Sequence, residues 1–199
     1  MKSNISSMYR ENTSNQISQG DILKKFPIYY YNSKEKSIDF LELSYCIIIT
    51  QDCDLTQDYV AYENKKKYSE FNSIDDEKIK SQNNKLIPSI MLVEGFPAEQ
   101  LREGTHLSNL NMYTPKISNK NKTPWKNIIK NETPRYHYLK EDKMLNQSEV
   151  VFDFKRYYTV SRDYIYLHYH EHYTISLNEL YREHFSTRFA SYLSRIGLP

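Results

Sequence analysis

Tyr45-Cys46-Ile47-Ile48-Ile49-Thr50-Gln51-Asp52-Cys53-Asp54-Leu55 is the stretch on which the fold turns. Its apolar run has no alternation, and three successive isoleucines read as a strand buried on both faces. The run stops abruptly and delivers two carboxylates and a thiol to one short turn. Side chains at the end of a rigid strand are held more closely than side chains on a free loop. Asp52, Cys53 and Asp54 are therefore the first candidate site. Cys53 is a candidate nucleophile or ligand, although flanking carboxylates oppose thiolate formation and a compensating cation would be needed.

Strands are expected on either side of this run. Phe26 to Tyr31 and Ile38 to Leu43 read as a hairpin joined by the polar turn Asn32-Ser33-Lys34-Glu35-Lys36. Residues 88–93, 150–160 and 163–175 continue the pattern. Pro97 to Glu103 predicts a short helix stopped by Gly104, and Trp125 to Lys130 one or two helical turns. Between them, residues 57–86 are rich in Lys, Glu, Asp, Asn and Ser. They read as a solvated helix or polar insertion. Residues 1–18 are Ser/Asn-rich and expected to be disordered or loosely attached, with a single domain over 19–199.

The last element is the most strongly patterned. Leu177, Leu180, Tyr181, His184, Phe185, Arg188, Phe189, Tyr192, Leu193 and Ile196 keep helical spacing. Ser176 and Glu179 have the spacing of a capping box, and Gly197 and Pro199 stand where a helix should stop. The fold class that follows is α+β. A strongly curved antiparallel sheet, or a partly open SH3-like β-barrel, carries a long C-terminal helix packed on it.

Composition bounds the function. The chain has 199 residues, 39% apolar and 26% charged, and a formal net charge of +2, too small to imply a nucleic-acid partner by itself. The 19 tyrosines bury a ring while keeping a polar tip wet, a property suited to interfaces. No apolar run approaches the ~20 residues that span a bilayer, and residues 1–19 lack the apolar core of a signal peptide. A cytoplasmic protein with both thiols reduced is expected, since seven residues of extended chain hold Cys46 and Cys53 too far apart to pair. Four glycines leave no phosphate-cradling loop, and no cofactor is implied.

Three further groups could carry chemistry. His184 and Arg188 lie at i and i+4 on the apolar stripe of the last helix, where a buried arginine needs an acceptor. Asp52, Asp54 and Asp153 are the acids expected to meet it. Arg135-Tyr136-His137-Tyr138-Leu139, read as a strand, puts Arg135 and His137 on one face, able to hold an anion or do acid–base work. His168, His170 and His172 alternate along an expected strand, about 6.6 Å apart. That row is a weak metal candidate, and exposed histidines with no tightly bound ion are the expectation.

Together, the segments 19–22, 49–55, 135–139, 151–154 and Arg188-Phe189 resemble an uncharacterised bacterial family. Its members have a hydrophobic strand ending in [ST]-Q-x-C-D-[LI] and a later R-[YF]-x-x-L segment. A weaker resemblance links Gly20-Asp21-Ile22 and Ile47-Ile48-Ile49 to MazF/PemK-type ribonuclease toxins, which are SH3-like barrels. Those toxins carry Arg-Pro just before the strand, where this chain has Ser44-Tyr45-Cys46. That likeness implies a barrel-like core more than ribonuclease activity.

Two functions follow as expectations. The first is a non-enzymatic or regulatory subunit of a bacterial conflict or stress-response system, of the anti-phage defence or toxin–antitoxin type. It would recognise a protein, nucleotide or nucleic-acid partner where Asp52, Cys53, Asp54, Arg135, His137 and Arg188 converge. The alternative is a hydrolase, most plausibly a nuclease, with Cys53, His137 or His184 as catalytic candidates and Arg135 or Arg188 stabilising phosphate charge.

Overall fold

The structure is a computed structural model, described for residues 7–70, 76–117, 123–142 and 148–195. Its centre is a seven-stranded antiparallel half-barrel. In chain order the strands are β1 (Tyr9–Arg10), β2 (Asp21–Asn32), β3 (Ser37–Ile48), β4 (Ser89–Pro97), β5 (Tyr136–Leu139), β6 (Val150–Ser161) and β7 (Tyr173–Leu177). Across the sheet they run β1-β7-β2-β3-β4-β6-β5. Curvature brings the two edges towards each other, and the Tyr9 hydroxyl donates to the Lys140 carbonyl at 2.6 Å. The expected curved sheet with a helix on it is the observed architecture.

The isoleucine run explains the layering. Ile47 and Ile49 join Ile22, Phe152, Phe154 and Ile175 in the core on one face, closed by Phe185 and Phe189. Cys46 and Ile48 face the opposite core with Leu23, Phe26, Leu43 and Leu92, closed by Leu55, Ile165 and Tyr169. The helices over these faces are α6 (Glu179–Leu193) on the first, and α1 (Asp52–Glu70) and α5 (Arg162–His172) on the second. Burying both faces of one strand is what forbids alternation in its sequence. Two shorter helices, α3 (Ala98–Glu103) and α4 (Thr123–Ile129), cover Tyr138 and Val151, while α2 (Asp76–Asn83) follows α1. Helix α3 ends at Gly104 as expected; a Cβ there would lie 2.0 Å from the Thr114 carbonyl oxygen, so no side chain fits.

Several expectations are corrected. Segments 38–43 and 45–50 are one strand, β3. Segment 163–175 is mostly helix: Arg162, Ile165 and Tyr169 are buried at helical spacing, and only its end joins β7. Its tyrosines and β-branched residues suggested a strand, but tertiary packing overrode that propensity. The capping box is not formed. Ser176 is buried in β7, and Asn178 caps α6 by accepting from the Glu179 amide at 2.9 Å.

Residues 7–18 are not loosely attached. Tyr9 and Arg10 pair with β7, and Ile17 is fully buried. The polar stretch 57–86 begins inside α1, whose Leu55, Asp58 and Ala61 are fully buried against the sheet. Asp58 holds the buried Arg162 at 2.7 Å, and the Ile87 amide donates to it at 3.0 Å. Residues 1–6 and the expected helix stop at Gly197 and Pro199 lie outside the described residues.

Candidate functional site

Asp52-Cys53-Asp54 is the first turn of α1 rather than a free turn after the strand. Gln51 precedes the helix, and its carbonyl accepts from the Asp54 and Leu55 amides, both at 3.1 Å. Asp52 is a fastener. It accepts from the Gln19 amide at 2.9 Å and from Arg182 of α6 at 2.7 Å, tying the chain entry and the last helix to α1. Cys53 is exposed, with its sulfur 3.6 Å from Gln51 Oε1 and 3.7 Å from Asp54 Oδ1. No ion pair of Asp54 is present among the described residues.

Between this turn and α6 opens a cleft of about 800 Å³. Its walls carry Gln19, Thr50, Gln51, Asp54, Ser186 and Thr187, over a floor that includes Ile49, Met91 and Phe189. Among the described residues it is lined by no histidine, lysine or arginine. Among the described residues, no histidine or lysine of the cleft stands beside Cys53 to take its proton. The other thiol, Cys46, is fully buried, and burial pushes its pKa well up.

The expected convergence of six residues does not occur. Arg188 does not meet the Asp52–Asp54 turn. It points to the other side of α6 and donates to the carbonyls of Asn131, Thr133 (2.9 Å) and Tyr136 (2.8 Å). Arg135 forms a two-pronged ion pair with fully buried Asp153, its Nε lying 2.8 Å from Oδ1. His137 is buried among Phe185, Phe154 and His184, with ring centroids at 4.7, 6.2 and 5.4 Å. His137 and Arg188 assemble the contact between β5 and α6, and Arg135 with Asp153 ties the entry of β5 to β6. Sequence patterning located Asp52 and Arg188 but mispaired them, because the six residues from Arg182 to Arg188 leave the two side chains about 120° apart around α6, facing different partners. Gln19, Ser186 and Thr187 went unmarked, since small polar residues carry no signature until a cleft surrounds them.

His137 gives a pH prediction. Burial first, then Arg188 and His184, pull its pKa well below the ordinary 6.5, and its Nδ1 has no hydrogen-bond partner. The unfolded chain takes up this proton below about pH 6.5 while the folded chain does not, so stability is full above that pH and falls as acid is added. Urea unfolding at pH 5.5 should show a loss of about 1 kcal/mol relative to pH 7.5 from this group. His137→Phe should remove that part of the loss, and an unchanged pH slope would refute the assignment.

The chain's described helices include none long and apolar enough to cross a membrane. No protein-family model, curated protein or solved structure matches the chain.

Proposed function

We propose that this is a non-catalytic, partner-recognising protein. The observation that carries the reading is the tip of the β2–β3 hairpin. Tyr29 pairs with Phe40 and Tyr31 with Ile38, which puts all four on one face of the ribbon. They are 61%, 65%, 65% and 76% exposed in the order Tyr29, Phe40, Tyr31, Ile38. Scattered exposed apolar residues are ordinary, but a contiguous cross-strand patch of aromatic and aliphatic groups is the surface of an interaction site. The partner it fits is a protein with a complementary apolar groove.

A hydrolase is less well supported. Arg188 is occupied by backbone carbonyls, Arg135 by Asp153, and His137 is enclosed. None of these is placed beside Cys53. A regulatory role in a bacterial conflict or stress-response system is the reading that goes with an incomplete catalytic set and a surface rich in the chain's 19 tyrosines. A cytoplasmic setting is supported by two unpaired thiols.

The test is affinity capture of the tagged protein from its own host, comparing wild type with Ile38→Lys/Phe40→Lys. Both substitutions lie on the exposed face, so the melting temperature should hold. A specific protein should be captured by the wild type and lost from the double variant. Capture that survives the double variant but is lost in Asp54→Lys would move recognition to the α1–α6 cleft.

A further inference from the structure

We propose that the last turn of α5 is a binding site for a transition-metal dication, held by His168, Glu171 and His172. Read as a strand, His168, His170 and His172 line one face with no second cluster of ligands in view, and no tightly bound ion is expected. The segment is helical, so residues three and four apart meet. His168 and His172 become neighbours at i and i+4, Glu171 enters between them, and His170 leaves the group to lie edge-on to Tyr169, with ring centroids 5.3 Å apart. One donor atom from each of His168, Glu171 and His172 lies within 4.8 Å of the others. His172 Nε2 is 4.0 Å from Glu171 Oε2.

Those distances are close to coordination. Ligand atoms about 2.0–2.1 Å from a tetrahedral zinc ion are roughly 3.3 Å apart. The mobile partner has little to cross: the Glu171 side chain is 75% exposed, so reorienting it disturbs no packing. Two imidazoles and a carboxylate are a donor set for zinc, cobalt or nickel rather than for calcium or magnesium.

A second, independent observation concerns the His172 ring. Its Nδ1 lies 3.1 Å from the Lys24 carbonyl oxygen, across from β2. A carbonyl oxygen can only accept, so the bond puts the ring proton on Nδ1 and leaves the Nε2 lone pair facing Glu171. Metal-binding histidines are held in this way, the ring nitrogen away from the ion donating to a carbonyl or carboxylate. The ring is also seated edge-on against Phe26, with centroids 5.4 Å apart, and the His168 ring lies 4.5 Å from that of Tyr164. Both imidazoles are therefore oriented before any ion arrives, which reduces the ordering cost of binding. The three protein ligands leave at least one coordination position for water or for a group from outside. A bound ion would clamp the helix where it passes directly into β7.

The experiment is titration of the full-length, untagged protein with Zn²⁺ by calorimetry, with thermal melting alongside. About one Zn²⁺ per chain and a rise in melting temperature are expected. His168→Ala and Glu171→Gln, which change exposed or half-exposed side chains, should each weaken binding at least tenfold, and His170→Ala should leave it intact. Absence of binding at 100 μM Zn²⁺, equal binding by His168→Ala, or loss of binding in His170→Ala would each overturn the site.

Discussion

Asp21→Ala is expected to destabilise the protein by about 3–5 kcal/mol in urea unfolding, the largest single effect of any substitution discussed. Asp21 is fully buried, and its carboxylate is the hub of a network across three parts of the chain. The Ser18 amide donates to it at 2.8 Å, Asn12 Nδ2 at 3.1 Å and the Tyr169 hydroxyl of α5 at 2.7 Å, all to Oδ2; Ser176 of β7 donates to Oδ1. Burial pushes its pKa up, and these donated bonds pull it part of the way back. Alanine would strand four donors in a site closed to water. Asp21→Asn should cost less, about 1–2 kcal/mol, because one amide oxygen can still accept the three bonds now made to Oδ2. The amide nitrogen then faces Ser176, whose hydroxyl can turn towards Tyr173, 3.0 Å away. Equal losses for the two variants would mean that the hydrogen bonds do not hold this corner together. Gly20 belongs to the same corner: its φ is +89°, and a Cβ would press on Arg182 at 3.1 Å.

The second large effect is expected at Arg188. Its guanidinium serves three carbonyls of the segment leading into β5, so Arg188→Ala should cost about 2–4 kcal/mol. Hydrogen exchange should accelerate in residues 131–139 before other regions respond. Arg188→Lys should recover only part of the loss, because an ammonium group cannot span three acceptors as a planar fork does. Combined with Asp54→Asn, the effects should add to within about 0.5 kcal/mol, since the two residues sit on opposite sides of α6 and share no partner. A coupling above about 1 kcal/mol would show that they communicate after all.

Period and polarity carried the fold a long way. Ile47-Ile48-Ile49 is apolar without alternation because both faces of the sheet are covered at the C-terminal end of β3, and that fact is local enough to be read directly. The last helix is legible for the same reason: Phe185 and Phe189 recur with the helical turn and both enter one core. Gly104 likewise marks the stop of α3 through a backbone conformation that other residues resist. The limits are equally physical. Residues 162–172 contain enough tyrosine to suit a strand, and only contact with β2 and β4 from outside the sheet selects the helix. Ser176 looks like a helix cap until burial brings it to Asp21.

What the sequence determined by itself was therefore the set of elements whose pattern is repeated within one segment: the doubly buried end of β3, the hairpin tip that β3 shares with β2, the C-terminal helix and the antiparallel class of the sheet. Tertiary structure alone decided which charges meet. Asp52 binds Arg182 and not Arg188, Arg188 binds carbonyls, and Asp153 binds Arg135. The histidines regroup with Glu171 for the same reason. Burial follows from periodicity along the chain, which is short-range information. Pairing of polar groups depends on the relative rotation of elements distant in sequence, and a shift of a few residues in helical phase exchanges one partner for another.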